Sequence, residues 1–216
     1  MGLKEQKPNG VQAGWKFLGT ETRFESGVFR LREDSVELDG GKQIDYAYLE
    51  RAPAVIVVPI TTAGEMVLIK QYRYAVDEWC LEVPAGGTHD SGGASLEEVA
   101  RKELREEAGA SARSLTYVEC FYAAASLSDE KSHVFLAEGV ELSKELWTEA
   151  SETIEVQRVP VAQAIKMARN GAIKTGPCAL AILLCESRLS SYLPEAPDSL
   201  ATAVAEGDGC DSGSGV

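Results

Sequence analysis

The segment SLEEVARKELREEAG, residues 95–109, restricts the fold more than any other stretch, because its pattern is that of an amphipathic helix. Ser95 and Glu98 have the spacing of a capping box, and Gly109 stands where a left-handed residue ends a helix. At about 100° per residue, one face of the helix carries four apolar side chains: Leu96, Val99, Ala100 and Leu104. The segment therefore predicts a helix that packs against the protein body.

Glutamates continue the apolar stripe of this helix. Glu103 and Glu107 follow Val99 in steps of four residues, and Glu106 lies at the edge of the stripe. Carboxylates that converge at low dielectric are unfavourable unless cations or protons compensate for them. Mg²⁺ accepts carboxylate oxygens and leaves room for substrate phosphates, so the stripe favours a divalent metal site. The alternative is a surface helix stabilised by acid–base pairs, in which Lys102 pairs with a glutamate one turn away.

A glycine-rich segment, PAGG at residues 84–87, stands before the helix and follows the predicted strand EWCLEV. Glycine allows the backbone to approach a ligand closely, and a carbonyl oxygen in such a turn can itself bind a metal ion. We expect this turn and the acidic end of the helix to form one site.

The net charge and the apolar runs of the sequence indicate which partners and which cellular location to expect. The formal net charge of -13 and the pI of about 4.7 argue against nucleic acid or an anionic membrane as a partner. The start MGLKEQKPNG lacks the apolar core of a signal peptide, and the runs APAVIVVPI and CALAILLC are too short to span a bilayer. A cytoplasmic protein is expected.

The five cysteines are scattered, with no CxxC pair. Free cysteine commonly behaves as a small apolar residue, so the pattern predicts reduced and mostly buried thiols. They are Cys80, Cys120, Cys178, Cys185 and Cys210.

The first half of the chain reads as β-structure. In VELDGGKQIDYAYLE, Asp39-Gly40-Gly41 separates two stretches of period two, which predicts a β-hairpin in a small antiparallel module. Residues 55–58 are apolar on both faces, as expected of a central strand.

The second half mixes strands and helices. Strands are predicted around LTYVECFYA and KSHVFLAEGV, followed by a helix over residues 160–170 and an apolar helix over residues 176–193. The tail, residues 194–216, is rich in glycine, serine and acidic residues, which predicts disorder.

The motif LEVPAGG followed by SLEEVARKELREEAGA resembles the Nudix box, and IKQYRYAVDEWCLEVPAG is similar to the ADP-ribose and nucleoside-diphosphate-sugar pyrophosphatase branch of that family. The resemblance covers roughly residues 45–185. It implies an α/β fold: a Nudix α/β/α sandwich with a mixed sheet, plus the small N-terminal antiparallel β module. The implied domains are a dimerisation module over 11–50, the Nudix hydrolase domain over 51–193, and the tail over 194–216.

The resemblance also implies the metal site. Glu103, Glu106 and Glu107 match the family's metal-binding glutamates, and the carbonyl oxygen of Ala85 matches the position that completes the metal shell. Glu106 is a candidate for catalysis as well. The implied cofactor is Mg²⁺, with Mn²⁺ as the alternative.

Catalytic and substrate-binding residues follow in the same way. Arg73 matches the arginine that contacts the substrate, and Glu82 the acid before the PAG turn. The catalytic base of this branch is often a glutamate on a loop after the box. TEASETIEV matches that loop, so Glu152 is the first choice and Glu149 the second, against the alternative that either is only a solvated loop acid. The loop SLSDEKSH resembles the SDE loop beside the active site. Glu130 in this loop is a candidate for assisting the metal or the substrate, against the alternative of a purely structural role.

The N-terminal module and the residue that follows it supply further candidates. Arg51 is a candidate for a substrate contact. Trp15, Tyr46 and Tyr48 are candidates for stacking on a nucleobase, against the alternative that aromatic residues in strands belong to the core. In this branch the module often crosses to a partner subunit, so the resemblance implies a homodimer.

Two positions depart from the family pattern. The spaced glutamate of the box is replaced by Ala94, and the basic position is Lys102 instead of arginine. Lysine cannot reproduce a bidentate arginine clamp, but it can neutralise a neighbouring glutamate.

The implied function is Mg²⁺-dependent hydrolysis of the pyrophosphate bond of a nucleoside diphosphate sugar, with ADP-ribose as the first substrate. UDP-glucose, GDP-mannose or a dinucleotide polyphosphate are alternative substrates. A non-catalytic Nudix-like protein that binds a nucleotide sugar is the alternative from another class.

Overall fold

The computed structural model describes residues 7–143 and 154–193, and the strands in these ranges form two sheets. The α-helices are α1 (Pro8–Gln12), α2 (Leu96–Ala108), α3 (Val161–Arg169) and α4 (Gly176–Cys185). The strands are β1 (Lys16–Glu25), β2 (Phe29–Glu37), β3 (Gln43–Arg51), β4 (Ala54–Thr61), β5 (Glu65–Arg73), β6 (Glu78–Glu82), β7 (Ala85–Gly87), β8 (Ala110–Ser111), β9 (Ser114–Tyr122), β10 (Lys131–Leu142) and β11 (Ile154–Pro160). Short 3₁₀ helices cover Tyr74–Val76, Glu186–Arg188 and Ser190–Tyr192.

The first sheet is the predicted N-terminal β module, with strand order β1-β2-β3 and antiparallel pairing throughout. The turn between β2 and β3 contains Gly40 and Gly41, with φ angles of 90° and 81°. Glycine adopts such positive φ angles without steric strain because it has no Cβ atom. Leu38 N–H donates to the Lys42 carbonyl oxygen at 2.8 Å and closes the turn. The predicted hairpin is confirmed.

The second sheet is mixed and has eight strands. Its main path is β11-β5-β4-β10-β8, and only the pairing of β4 with β10 is parallel among the strand pairs of the described ranges. β4 and β5 pair at Ile60 and Met66. Toward the other end the two strands diverge, and there β7 pairs with β4 while β6 pairs with β5. The divergence opens the sheet beside the PAGG segment.

Helices cover both faces of this sheet. Along β4, Val55 and Val57 pack with the residues of α2, whereas Ile56, Val58 and Ile60 pack with those of α3 and α4. All five side chains are buried. Burial on both faces explains the continuous apolar run, and the layers confirm the predicted α/β/α sandwich.

The helix α2 has the predicted ends. The Ser95 hydroxyl accepts a hydrogen bond from Glu98 N–H, and the Glu98 carboxylate accepts one from Ser95 N–H. Gly109 ends the helix in the left-handed conformation, with φ of 58°. These caps fix where the helix that carries the acidic stripe begins and ends.

Two predicted elements differ in the structure. Ala85–Gly87 form a short strand instead of a turn, because Pro84 places its carbonyl oxygen 2.8 Å from Val57 N and directs the following residues along β4. The last helix ends at Cys185 and continues as two 3₁₀ helices. Its C-terminal segment SRLSS is rich in serine, whose hydroxyl competes with the helix for backbone hydrogen bonds.

The four described cysteines are free, and three of them, Cys80, Cys178 and Cys185, are buried. Burial raises the pKa of Cys178 and of Cys185 to about 12. The prediction of reduced, mostly buried thiols is confirmed for these four; Cys210 lies outside the described residues.

Neither residues 7–143 nor residues 154–193 contain a helix long and apolar enough to cross a lipid bilayer. The division into domains over 11–50 and 51–193 stays a prediction, and the tail predicted to be disordered lies outside the described residues.

Candidate active site

The acidic stripe of α2 points toward the protein body. Glu103 and Glu107 are only 9% and 3% exposed, and Glu106 is partly buried. By contrast, Glu98, Arg101 and Arg105 are exposed on the opposite face. The structure confirms that the inward face of the helix changes from apolar to acidic in its last two turns.

The strand β7 meets both buried carboxylates. Ala85 N–H donates to Glu107 Oε2 at 2.8 Å. At Gly86, a Cβ atom would come closer than 3.0 Å to three atoms of the Glu103 carboxyl group, a separation that real Cβ atoms essentially never show. Only glycine therefore allows Glu103 to lie against the backbone at this position. The PAGG segment and the acidic helix form one site, as predicted.

Lys102 lies among carboxylates at the edge of the stripe. Its Nζ is 3.2 Å from Glu106 Oε2, 3.8 Å from Glu103 Oε1 and 3.6 Å from Asp90 Oδ2. Burial lowers the pKa of Lys102, but the hydrogen bond to Glu106 and the surrounding negative charges raise it overall. Lys102 therefore stays charged and neutralises part of the cluster.

Arg73, the last residue of β5, and Glu82, the last residue of β6, form a two-pronged ion pair. Arg73 Nε donates to Glu82 Oε1 at 3.0 Å, and Nη2 donates to Oε2. The hydrogen bond to Glu82 raises the pKa of Arg73, although burial opposes it. Glu82 is 1% exposed and accepts a third hydrogen bond from Thr175 Oγ1 at 2.9 Å. The buried carboxylate is thus well compensated.

Thr175 is a site residue that the sequence did not reveal. It lies 93 positions from Glu82 and reaches it because α4 packs on the sheet. No local pattern around Thr175 indicates that contact.

Arg51 and Glu130 form a second group where the two sheets meet. Arg51 Nη1 is 2.6 Å from Glu130 Oε2, and Arg51 N–H donates to Asp129 Oδ1 at 2.9 Å. Burial raises the pKa of Glu130, and the Arg51 charge opposes that shift. Tyr46 adds a third link by donating its hydroxyl to the Ser126 carbonyl oxygen at 3.2 Å. The SDE loop thus ties the N-terminal sheet to the main sheet.

This second group lies near the PAGG segment. Ala54 of β4 pairs with Gly87 of β7 on one side and with Ser132 of β10 on the other. Arg51 and Glu130 stand just before β4 and β10, so they lie at the same end of the sheet as the acidic stripe.

The aromatic candidates contact one another. The rings of Trp15 and Tyr46 are 6.0 Å apart, and those of Tyr46 and Tyr48 are 6.4 Å apart. Burial, followed by the charge of Asp34, raises the pKa of Tyr48 to about 12. Whether this row also stacks on a nucleobase stays a prediction.

The candidate bases, Glu149 and Glu152, lie outside the described residues. The described chain resumes at Ile154, which pairs with Gln71, two residues before Arg73.

The donors at the acidic stripe suit a hard divalent cation. Glu103, Glu106, Glu107 and the Ala85 carbonyl group offer oxygen atoms, the donors that Mg²⁺ prefers. Within the part of the chain that the structure describes, no three His, Cys, Asp or Glu side chains are already arranged around a metal position. Two of the carboxylates instead face Lys102, and Glu107 accepts from Ala85 N–H.

Comparison with known proteins decides the family. The chain matches the model of the NUDIX domain over residues 50–177. The chain belongs to the Nudix family. It is 32% identical over 168 residues to the ADP-ribose pyrophosphatase of Bacillus subtilis (strain 168), a match that covers 77% of this chain and 90% of that protein.

Two further comparisons agree with this result. The chain is 25% identical to the CMP-5'-(N-acetyl-N-hydroxy-3-aminopropyl)phosphonate hydrolase of Streptomyces rubellomurinus (strain ATCC 31215), over 78% of this chain and 81% of that protein. The crystal structure of an ADP compounds hydrolase superposes with a TM-score of 0.70 at 24% identity, covering 82% of this chain and 95% of that one. The predicted family, its ADP-ribose pyrophosphatase branch, its fold and its hydrolase class are confirmed. Hydrolases of this family generally need a divalent metal.

Proposed function

We propose that this Nudix hydrolase is Mg²⁺-dependent and cleaves the pyrophosphate bond of nucleoside diphosphate sugars, with ADP-ribose as its main substrate. The products are a nucleoside monophosphate and a sugar phosphate. The observation that carries the proposal is the position of Glu103 and Glu107, buried against the glycine-rich strand β7. The likeness to an ADP-ribose pyrophosphatase supports the choice of substrate.

Four groups would hold the metal: the carboxylates of Glu103, Glu106 and Glu107, and the Ala85 carbonyl oxygen. When bound, a divalent ion neutralises the pyrophosphate charge and lowers the pKa of a coordinated water. Two contacts hold the carboxylates of Glu107 and Glu103 in place. Ala85 N–H fixes one Glu107 oxygen, and Gly86 leaves the space that the Glu103 carboxyl group occupies.

Arg73 orients the phosphate groups in this proposal. Its guanidinium is held by Glu82 through two N–H groups, and the arginine side chain is still 42% exposed. Its remaining N–H groups are directed by that pairing and are able to donate to phosphate oxygens. Thr175 and the buried Glu82 carboxylate keep the guanidinium in this orientation, which reduces the entropy lost when substrate binds.

A glutamate takes the proton of the attacking water, and we assign this role to Glu152, with Glu149 as the alternative. General-base catalysis typically contributes about 10²–10⁴-fold in rate. Both residues belong to the segment that precedes Ile154, and Ile154 pairs with β5 next to the Arg73 end.

Arg51, Glu130 and Tyr46 bind the remaining part of the substrate in this proposal. Their contacts with the SDE loop bring a positive charge and an aromatic ring to the end of the sheet that carries the acidic stripe. The N-terminal module is also proposed to form a homodimer, and light scattering coupled to gel filtration tests that state directly. A cytoplasmic location is part of the same proposal.

The test is hydrolysis of a panel of nucleotide sugars with and without Mg²⁺, followed by identification of the products. ADP-ribose is expected to give AMP and ribose 5-phosphate, and chelation of the metal is expected to abolish turnover. Glu103→Gln and Glu107→Gln should lose activity, whereas Glu97→Gln on the exposed face of α2 should retain it. Near-normal turnover by both buried-site variants would refute the proposal.

A second candidate is hydrolysis of another nucleotide linkage. The likeness to a hydrolase whose name specifies a CMP-linked phosphonate favours including CMP, UDP and GDP compounds in the panel. Tight binding of a nucleotide sugar, measured by calorimetry without product formation, would instead favour a non-catalytic binding protein. Ala94 and Lys102, the two departures from the family pattern, are the sequence features that favour this alternative.

A further inference from the structure

Lys102 lies close enough to the acidic stripe for its ammonium group to repel a cation bound there. Its ammonium is within 4 Å of an oxygen of Glu103 and of Glu106, two of the proposed metal ligands. The lysine side chain is 37% exposed, so it is neither buried nor locked in place. An ammonium and a divalent ion carry charge of the same sign and seek the same carboxylate oxygens.

Asp90 offers the lysine a second partner. Its Oδ2 is 3.6 Å from Lys102 Nζ, and it belongs to the loop between β7 and α2. Asp90 is 49% exposed, whereas the Glu103 and Glu106 side chains are 11% and 26% exposed. The ammonium therefore contacts carboxylates on both sides, one set in the site and one toward solvent.

We propose that Lys102 is an internal counter-ion of the acidic stripe which a divalent metal displaces toward Asp90 when it binds. In the metal-free protein the lysine stabilises Glu103 and Glu106 against each other. In the metal-bound protein it pairs with Asp90. Lys102 and Asp90 are thus positioning residues that set metal affinity, and the inference rests on the proposed metal site.

Substitutions at Lys102 and at Asp90 should have opposite effects on metal binding. Removing the ammonium removes a positive charge that competes with the metal, so Lys102→Met should bind Mn²⁺ about tenfold more tightly. Removing the carboxylate that receives the displaced ammonium should weaken Mn²⁺ binding by Asp90→Asn about two- to fivefold. A merely structural role for either residue predicts no such pair of opposite shifts.

Stability should follow the same logic. Without metal, Lys102→Met leaves Glu103 and Glu106 without their shared cation, so its Tm in EDTA should fall below that of the wild type. Saturating Mg²⁺ should remove this difference in Tm, because the metal replaces the missing positive charge.

The experiment is a Mn²⁺ titration followed by electron paramagnetic resonance, with Tm measured in EDTA and in Mg²⁺. Arg101→Met is the matched control: it removes one positive charge from the same helix, and its partner Glu97 lies outside the stripe. This control should keep its Mn²⁺ affinity within about twofold. In the double variant with Lys102→Met, the Asp90→Asn effect should disappear, because Asp90 acts through the lysine.

The outcomes separate this inference from the proposed function. A wild-type protein that fails to retain Mn²⁺ overturns both. A wild-type protein that binds Mn²⁺, with Lys102→Met binding equally or more weakly, overturns the inference and leaves the proposed function standing. An Asp90→Asn effect of the same size in the Lys102→Met background also overturns it.

Discussion

Substitution of Gly86 by alanine should displace a proposed metal ligand, Glu103, with little effect on the stability of the fold. The new methyl group would lie within 3.0 Å of three atoms of the Glu103 carboxyl group. Ordinary van der Waals contacts begin near 3.4 Å. The carboxyl group must therefore move by about 1 Å or more, and a displacement of that size in a catalytic group can cost about 10²-fold in rate.

The same substitution should cost little folding free energy. The atoms that must move are the far end of a flexible side chain, and a changed Glu103 rotamer costs about 0.5–1.5 kcal/mol. Gly86 has no positive φ angle. Alanine at such a position reduces the conformational entropy of the unfolded chain, which stabilises the folded state by about 0.4–1 kcal/mol. The two terms nearly cancel, so Tm should change by no more than about 4 °C.

The assay is steady-state hydrolysis of ADP-ribose in Mg²⁺, together with thermal unfolding in EDTA. Gly86→Ala should lower kcat about 100-fold with nearly unchanged Tm. Gly87→Ala is the matched control, because its Cβ would meet His89 Nδ1 at 2.7 Å instead of an acidic group. Gly87→Ala should keep kcat within about twofold of the wild type. If Gly86→Ala turns over ADP-ribose as fast as that control, the position of Glu103 is not what the reaction requires.

Three further predictions concern separate parts of the site and the fold. Glu152→Gln should lower kcat about 10²–10⁴-fold and remove the acidic limb of the pH–rate profile, whereas Glu149→Gln should keep both; equal losses would refute the assignment of the base. Arg73→Lys cannot keep the two-pronged contact with Glu82, so KM for ADP-ribose should rise about tenfold, and an unchanged KM would exclude Arg73 from binding. Ser95→Ala removes the capping hydroxyl of α2 and should destabilise the protein by about 1 kcal/mol in urea unfolding at unchanged kcat; unaltered stability would show that the cap is dispensable.

Local sequence signals predicted the helix that carries the site. The capping box at Ser95 and Glu98 and the glycine at position 109 fixed its ends, and four-residue spacing placed Glu103 and Glu107 on its buried face. These features depend on residues within one or two helical turns of each other, so the local sequence predicts them whatever the tertiary fold.

Contacts between distant segments could not be predicted in the same way. Thr175 reaches Glu82 only after α4 packs on the sheet, and Asp90 meets Lys102 only when the loop before α2 folds back on the helix. The short strand at Ala85–Gly87 forms because β4 and β5 diverge and leave an edge of β4 for it to pair with. Such partners are set by tertiary packing, which overrides the local preference of PAGG for a turn.

Family resemblance located candidate residues, but it did not give their partners. Arg51 and Glu130 were each expected near the substrate, and the structure pairs them with each other at 2.6 Å. Because Arg51 and Glu130 pair with each other, a substrate that binds either residue must compete with the other one. Residue matching alone does not reveal this competition.

Anomalous diffraction from crystals soaked in Mn²⁺ tests most directly whether the inward-facing glutamates form a metal site. A peak is expected between the glycine-rich strand and α2, in contact with carboxylate oxygens of Glu103 and Glu107. Manganese bound elsewhere, with both side chains still directed at Lys102 and Ala85 N–H, would contradict the account.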